Sequence, residues 1–167
     1  MSQRTYIGMG TNLGDRTANL RTAVQEIAGF THLQKVSPLY ETAPVGFADQ
    51  GPFLNAVVLV DTDFPPPRLL HELKAVEQRM GRTPGPRNGP RLIDLDILLM
   101  GTLEHARQPA VPHPRMHERA FVLRPLADLA PGLILPGRGR LADLLATLPQ
   151  EGIHLWGESL DGPWTLV

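Results

Sequence analysis

Two aspartates separated by one residue lie in the most strongly patterned stretch of the chain. From Ile93 to Leu99, apolar residues alternate with Asp94, Asp96 and Leu98, which is the period of a strand with one buried face. Side chains two residues apart share a face, so the two carboxylates lie side by side, with Cα atoms roughly 6.5–7 Å apart. Because neighbouring carboxylates repel each other, the pair must take up a proton or hold a cation.

The segment before this strand indicates that the bound cation would be associated with a phosphate group. A loop rich in Gly and Pro, residues 83–90, leads into the strand, and Arg87 and Arg91 lie within or beside it. Mg²⁺ takes only one or two protein carboxylates and fills the rest of its shell with water and substrate phosphates, while guanidinium groups bind phosphate oxygens. The pattern predicts a site for a metal-bound polyphosphate, with a merely solvated acidic strand face as the alternative.

Length and composition restrict the class of protein. The 167 residues predict a single domain, 1–167, and the net charge of −1 argues against a nucleic-acid or membrane partner. We find no apolar run long enough for a membrane span and no signal sequence. The absence of cysteine excludes disulfides, thiolate metal sites and a Cys nucleophile, and we expect a cytoplasmic location.

Hydrophobic periodicity predicts a mixture of strands, helices and two long loops. Glu77 is expected on the polar side of its helix, and the two loops are typical of binding loops or lids. The predicted strands are residues 5–9, 31–39, 53–61 and the aspartate strand; the predicted helices are a segment capped by Asp15 or Asn12 and residues 68–80, 120–130 and 141–148; the predicted loops are 40–52 and 83–90.

One polar residue interrupts the most apolar predicted strand. Asn55 shares a face with Phe53, Val57 and Leu59, and a buried amide needs hydrogen-bond partners. An amide both donates and accepts, which suits recognition of a heterocycle edge. A structural hydrogen bond within the fold is the alternative, and both stay open at this point.

Taken together, these motifs resemble those of the 6-hydroxymethyl-7,8-dihydropterin pyrophosphokinase family. The resemblance implies an α+β fold, a ferredoxin-like antiparallel sheet with helices on both faces in three layers. It also implies transfer of pyrophosphate from ATP to the hydroxymethyl group of a reduced pterin, leaving AMP, in folate biosynthesis. It runs from Tyr6 to about Pro131 and rests on Gly10-Thr11-Asn12-Leu13-Gly14, Thr42-Ala43-Pro44-Val45-Gly46, Phe53-Leu54-Asn55, Gly81-Arg82, Arg87-x-Gly89-Pro90-Arg91-x-x-Asp94-Leu95-Asp96-Ile97, Val111-Pro112-His113 and Arg119-x-Phe121.

The resemblance further implies roles for individual residues. Asp94 and Asp96 would hold two Mg²⁺ ions that enter with ATP, and with Arg82 and Arg91 they form the catalytic set. The nucleotide-binding set is Glu77, Arg82, Arg87, Arg91, Ile97, His113 and Arg119. The pterin-binding set is Thr42, Pro44, Val45, Phe53, Asn55 and Phe121, in which the two phenylalanines would sandwich the ring.

The sequence also departs from the family pattern. Asn88 stands where some members carry Trp, and residues 83–86 lack further basic side chains, so closure of the 83–90 loop over ATP is left open. Separately, Pro114 stands where Tyr is common. We expect ATP and a reduced pterin as partners and a monomer as the acting form. Two rivals remain: another Mg²⁺-dependent nucleotidyl- or phosphotransferase, and a non-catalytic ferredoxin-like module that binds nucleotide.

Overall fold

Strands outnumber helices along the first two thirds of the chain. A computed structural model describes residues 2–43, 50–82 and 91–160. The elements in chain order are β1 (Gln3–Thr11), α1 (Arg16–Ala28), β2 (His32–Val36), β3 (Tyr40–Thr42), β4 (Phe53–Thr62), α2 (Pro66–Arg79), β5 (Asp94–Met100), a 3-10 turn (Met116–Glu118), α3 (Ala120–Leu129), β6 (Ile134–Leu135), β7 (Gly139–Arg140), α4 (Leu141–Ala146) and β8 (Ile153–Leu155).

The main sheet of the described residues is antiparallel and has six strands. Its order is β5-β1-β4-β3-β8, and β2 pairs with β4 beside β3. β6 and β7 form a separate hairpin. Among these residues, no helix combines the length and the apolar character that a bilayer crossing requires.

Apolar side chains cover both faces of this sheet. The first cluster lies under α1 and α2 and includes Ile7, Leu20, Val58 and Leu73. The second cluster lies under α3 and α4 and includes Tyr6, Leu59, Leu123 and Leu141. The expected α+β sheet with helices on both faces is therefore confirmed.

The register of β1 fixes which residues are neighbours on the α3 face. Gly10 pairs with Asn55 of β4 on one side and with Asp94 of β5 on the other. Gly8 pairs with Asp96 in the same way. Because neighbouring strands lie about 4.8 Å apart, the amide and the first carboxylate are carried by backbones only about 10 Å apart.

The predicted alternation of the aspartate strand holds through Leu98 and is wrong at Leu99. Tyr6 pairs with Leu99 and Ile7 with Ile97, so Leu98 is an extra residue on β5. Leu98 and Leu99 both enter the second cluster, while Ile97 belongs to the first. A β-bulge of this kind changes the direction in which the following side chains point, and here it turns Leu99 to the α3 face, the same side as Leu98 and the two aspartates.

Two further expectations need correction. The predicted loop 40–52 begins as the short strand β3, Tyr40–Thr42, which pairs with β4 and β8. Glu77 is not on a solvated helix face, because its side chain is buried and only 3% of the residue is exposed. Helical periodicity placed it correctly along α2 but could not reveal the strand that covers that part of the helix.

Candidate functional site

A cleft of about 660 Å³ opens on the α3 face of the sheet. Strands β1, β3, β4 and β5 form its floor, and residues near the 3-10 turn and before β8 form its walls. It brings together nine of the predicted site residues, namely Thr42, Phe53, Asn55, Arg91, Asp94, Asp96, His113, Arg119 and Phe121. Pro44, Val45 and Arg87 lie outside the described residues.

The acidic end of the cleft is supported from behind by Glu77. Its Oε2 accepts a hydrogen bond from the backbone N–H of Leu95 at 2.8 Å, and its Oε1 lies 2.8 Å from a guanidinium nitrogen of Arg82. Arg82 also donates to Asp94 Oδ1 at 2.9 Å. Glu77 and Arg82 are therefore linked to the acidic pair, although neither is among the residues that line the cleft.

Ile97, a predicted nucleotide contact, is not among the residues that line the cleft. Its side chain is 4% exposed and packs in the first cluster, on the opposite side of the sheet from the cleft. Only its backbone groups are therefore placed to meet a ligand on the α3 face.

Asp96 is an acidic group with a perturbed pKa. Burial and, to a smaller extent, the neighbouring Asp94 carboxylate raise its pKa from 3.8 to about 6, against smaller lowering effects from Lys74 and Arg119. A nearby cation stabilises the ionised form of such a carboxyl group. Arg82 pairs with Asp94, while the positive charges near Asp96 do not offset the effects of burial and of Asp94 on its pKa.

The donor set at the acidic end fits Mg²⁺ delivered with a phosphate ligand. Within the described ranges, no three His, Cys, Asp or Glu side chains converge to form a metal cage. Two carboxylates without a third protein ligand are what Mg²⁺ uses when substrate phosphates and water complete its shell. Asp94 and Asp96 are the residues that would hold such an ion.

The opposite end of the cleft presents an amide between two aromatic residues. Asn55 is 7% exposed, and its Nδ2 donates to Thr42 Oγ1 at 2.9 Å. Phe53 and Phe121 both line the cleft, and the guanidinium carbon of Arg119 lies 5.8 Å from the Phe121 ring centroid. Since Thr42 accepts one of the two amide hydrogens, the rest of the Asn55 amide can face a ligand with matched donors and acceptors.

Gly10 makes room for that amide. A Cβ added at this position would lie 3.0 Å from Asn55 Oδ1, which is closer than ordinary packing allows. Gly8 has a similar restriction, because its Cβ would meet the Leu98 side chain at 3.3 Å. The two glycines keep the floor of the cleft flat where β1 passes between the amide and the acidic pair.

His113 stands at the cleft wall as a neutral imidazole. Burial and, to a smaller extent, the positive charge of Arg119 lower its pKa to about 4. The backbone N–H of Arg115 donates to Nδ1 at 3.1 Å, which leaves Nε2 to carry the ring proton. Because it stays neutral at pH 7, the ring can donate a hydrogen bond to a phosphate oxygen without adding a full charge.

Asn12 joins the ends of the two predicted loops. Its Oδ1 accepts from the backbone N–H of Arg91 at 2.7 Å, and its Nδ2 donates to Gln50 Oε1 at 2.8 Å and to the Gly51 carbonyl at 3.2 Å. The cap of α1 is instead Asp15, which accepts from the N–H of Ala18. The sequence offered Asn12 only as a cap, and its long-range partners left no local signal.

Several cleft residues were absent from the prediction. They come from β1, from the segment after His113 and from the turn before β8, and they are Gly8, Gly10, Arg115, Glu118, Glu151 and Gly152. The glycines of β1 carried the only available signal, since glycine in a strand interior often marks a close approach of backbone or ligand.

We expect Asp96→Asn to stabilise the metal-free protein at alkaline pH. In the folded state this carboxyl has a pKa of about 6, compared with 3.8 without the fold, so folding binds a proton between these values and stability falls as pH rises through them. Urea unfolding in EDTA should give the variant an advantage of the order of 2 kcal/mol at pH 8 that disappears towards pH 4.

Glu158→Gln is the matched control, because it removes an exposed carboxylate and should change little at any pH. An Asp96→Asn advantage that stays constant across the pH range would show that packing rather than ionisation is responsible.

The family comparison covers the part of the chain that contains most of the cleft. Residues 6–131 match the model of the 7,8-dihydro-6-hydroxymethylpterin-pyrophosphokinase family. A relative from Pseudomonas aeruginosa, named 2-amino-4-hydroxy-6-hydroxymethyldihydropteridine pyrophosphokinase, is 46% identical over 157 residues, covering 92% of this chain and 97% of the relative. The Bacillus subtilis protein of the same name is 42% identical over 160 residues, covering 93% and 92%.

Solved structures agree in fold. The Plasmodium falciparum HPPK-DHPS structure with pterin and p-hydroxybenzoate superposes with a TM-score of 0.69 at 16% identity, covering 88% of this chain and 42% of that one. At this identity the similarity concerns the fold alone, and it agrees with the ferredoxin-like expectation. Given the family match and the two full-length relatives, the chain belongs to the 7,8-dihydro-6-hydroxymethylpterin pyrophosphokinase family.

Proposed function

We propose that the cleft aligns the hydroxymethyl oxygen of 6-hydroxymethyl-7,8-dihydropterin with the β-phosphorus of ATP. The observation that carries this proposal is the placement of Asn55 and Asp94 on either side of Gly10. A heterocycle bound to the amide would project its substituent across β1 towards a polyphosphate at the acidic pair. Holding the two reactants next to each other in the cleft converts a bimolecular reaction into an effectively unimolecular one.

The pterin end supplies recognition. In the proposed complex, Phe53 and Phe121 stack on the two faces of the ring, and Asn55, held by Thr42, pairs with its edge. The cleft-lining positions of all four residues support this assignment. Pro44 and Val45, outside the described residues, stay predictions for the same end.

The acidic end supplies charge. Asp94 and Asp96 would hold two Mg²⁺ ions, and such ions, when bound, offset the negative charge of the polyphosphate. Arg91 and Arg119 line the cleft and add charged guanidinium donors. His113 also lines the cleft and adds a neutral imidazole donor. Arg87 stays a prediction for the nucleotide, and a role for Ile97 would use its backbone.

The reaction depends more on positioning the two substrates than on covalent catalysis by the protein. The hydroxymethyl oxygen forms a bond to the β-phosphorus, the bond from that phosphorus to the α,β-bridging oxygen breaks, and AMP leaves while the hydroxyl proton is released. Negative charge grows on the bridging oxygen, and preorganised donors stabilise charge that develops at this point.

Arg82 is the guanidinium best placed to respond to ligand binding. It is already paired with Asp94 and Glu77, at 2.9 and 2.8 Å. Both contacts are made by the same nitrogen, Nη1. If cations take over Asp94, the N–H that now meets Asp94 becomes available to the phosphates while Nη1 stays anchored to Glu77. Arg82 would therefore act on the reacting complex more than on the initial binding of ATP.

Incubation with ATP, Mg²⁺ and 6-hydroxymethyl-7,8-dihydropterin should yield AMP and the pterin diphosphate. Asp94→Ala and Asp96→Ala should each lower kcat by about 100-fold or more while the proteins stay folded, because an arginine-rich site then loses its metal ligands. Asp143→Ala, on α4 away from the cleft, is the control. Pyrophosphate release would favour a nucleotidyltransferase, and full activity of both variants would remove the metal assignment.

Arg82→Ala should lower kcat by roughly 10- to 100-fold and change the KM for ATP much less, because its donor is used after ATP is bound. Steady-state kinetics with varied ATP checks this. Arg79→Ala is the matched control, since that arginine ends α2, three residues before Arg82, and pairs with Glu26 at 3.2 Å. A raised KM with unchanged kcat would reduce Arg82 to a binding residue.

Gly10→Ala should raise the KM for the pterin about tenfold or more and leave the KM for ATP nearly unchanged, because the added methyl displaces the Asn55 amide. Gly132→Ala is the control, since a Cβ there meets nothing within 4 Å. Equal effects on both substrates would show a general distortion of β1 rather than a change at the amide.

A monomeric state, a cytoplasmic location and a single domain spanning 1–167 stay predictions.

A further inference from the structure

The β6–β7 hairpin approaches the cleft from outside the family match, which ends at residue 131. Leu135 of β6 and Leu141 at the start of α4 are fully buried in the second cluster. The turn between the strands is thereby attached firmly to the core. It carries Arg138, whose guanidinium Nη1 donates to the backbone carbonyl of His113 at 2.6 Å.

That contact is one of four that fix His113. The backbone N–H of His113 donates to the carbonyl of Leu98, in the bulge of β5, at 2.9 Å. The N–H of Arg115 donates to ring Nδ1. The His113 carbonyl accepts from Arg138 at 2.6 Å and, over a longer distance of 3.3 Å, from the backbone N–H of Met116. Both backbone groups and one ring nitrogen are therefore engaged, and Nε2 is the remaining polar atom of a residue that lines the cleft.

The short, charge-assisted bond to the His113 carbonyl matters because the next residue in the chain is a proline. Pro114 has no N–H with which to brace this peptide against the fold. Hydrogen bonds from a charged donor are stronger than neutral ones. Arg138 is not itself among the residues that line the cleft, so its influence on a bound ligand would pass through the residue it holds.

We propose that Arg138 is a positioning residue for nucleotide binding, acting through His113 to hold the imidazole Nε2–H towards the polyphosphate of ATP. This inference rests on the proposed function, in which His113 donates to that polyphosphate. It adds a residue of the C-terminal hairpin to a site whose proposed ligand-binding residues otherwise all lie within residues 6–131.

Arg138→Met, compared with Arg140→Met, separates this role from a general loss of charge. Both arginines belong to the hairpin, and Arg140 lies exposed on β7. For Arg138→Met, we expect the KM for ATP and the Kd for Mg²⁺-bound α,β-methylene-ATP to rise about three- to tenfold. The KM for the pterin and the melting temperature should match those of Arg140→Met, and Arg138→Lys should recover part of the affinity.

A double-mutant cycle with His113→Ala tests the route. If Arg138 acts through His113, Arg138→Met should leave the Kd for α,β-methylene-ATP nearly unchanged once the imidazole is absent. The same three- to tenfold loss in that background would overturn the proposal and indicate direct attraction between Arg138 and phosphate. Identical behaviour of Arg138→Met and Arg140→Met would overturn it as well.

The wild-type protein distinguishes failure of this inference from failure of the proposed function. If it forms AMP from ATP and the pterin, and only the arginine comparison fails, the role of Arg138 alone is wrong. If it forms no AMP and binds no α,β-methylene-ATP, the proposed function is wrong, and the inference is overturned with it.

Discussion

The antiparallel pairing of β1 with both β4 and β5 is the constraint on which the site depends. It places the two glycines of β1 between an amide on one neighbour and two carboxylates on the other. Any shift of one residue would turn these groups into the apolar layer under α1 and α2. The apolar residues of the opposite face, such as Ile7, Val58 and Leu95, are buried and oppose such a shift. The core packing of one face thus determines the chemistry presented on the other.

Charge at the acidic end is arranged in a series from the core outwards. Glu77 is nearly inaccessible to solvent and is neutralised by Lys74, Arg82 and a backbone donor. Arg82 in turn meets Asp94, and Asp96 is left with a raised pKa. A buried charge without a partner is destabilising. Among the described residues of this arrangement, the carboxyl group that lacks a paired cation is Asp96, which lines the cleft, where a ligand can reach it.

Many of the helices and strands, and the acidic pair of the site, could be predicted from local sequence patterns. The period of two in β4 and β5 and the period of 3.6 in α2 identified these elements, and the Asp94–Asp96 pair is confirmed on one face of its strand. The spacing could not predict the Leu98 bulge, because a bulge depends on the partner strand. Nor could it reveal the burial of Glu77 or the bonds of Asn12, which join residues far apart in sequence.

The bonds of Asn12 have a consequence for how loop length can vary among relatives. One amide fixes Arg91 at the end of one loop and Gln50 and Gly51 at the end of the other. Residues can be inserted or deleted before these anchor points without moving the strands beyond them, because each strand starts from a fixed position. Evolution can therefore adjust the reach of either loop while the floor of the cleft, already set by β1, keeps its dimensions.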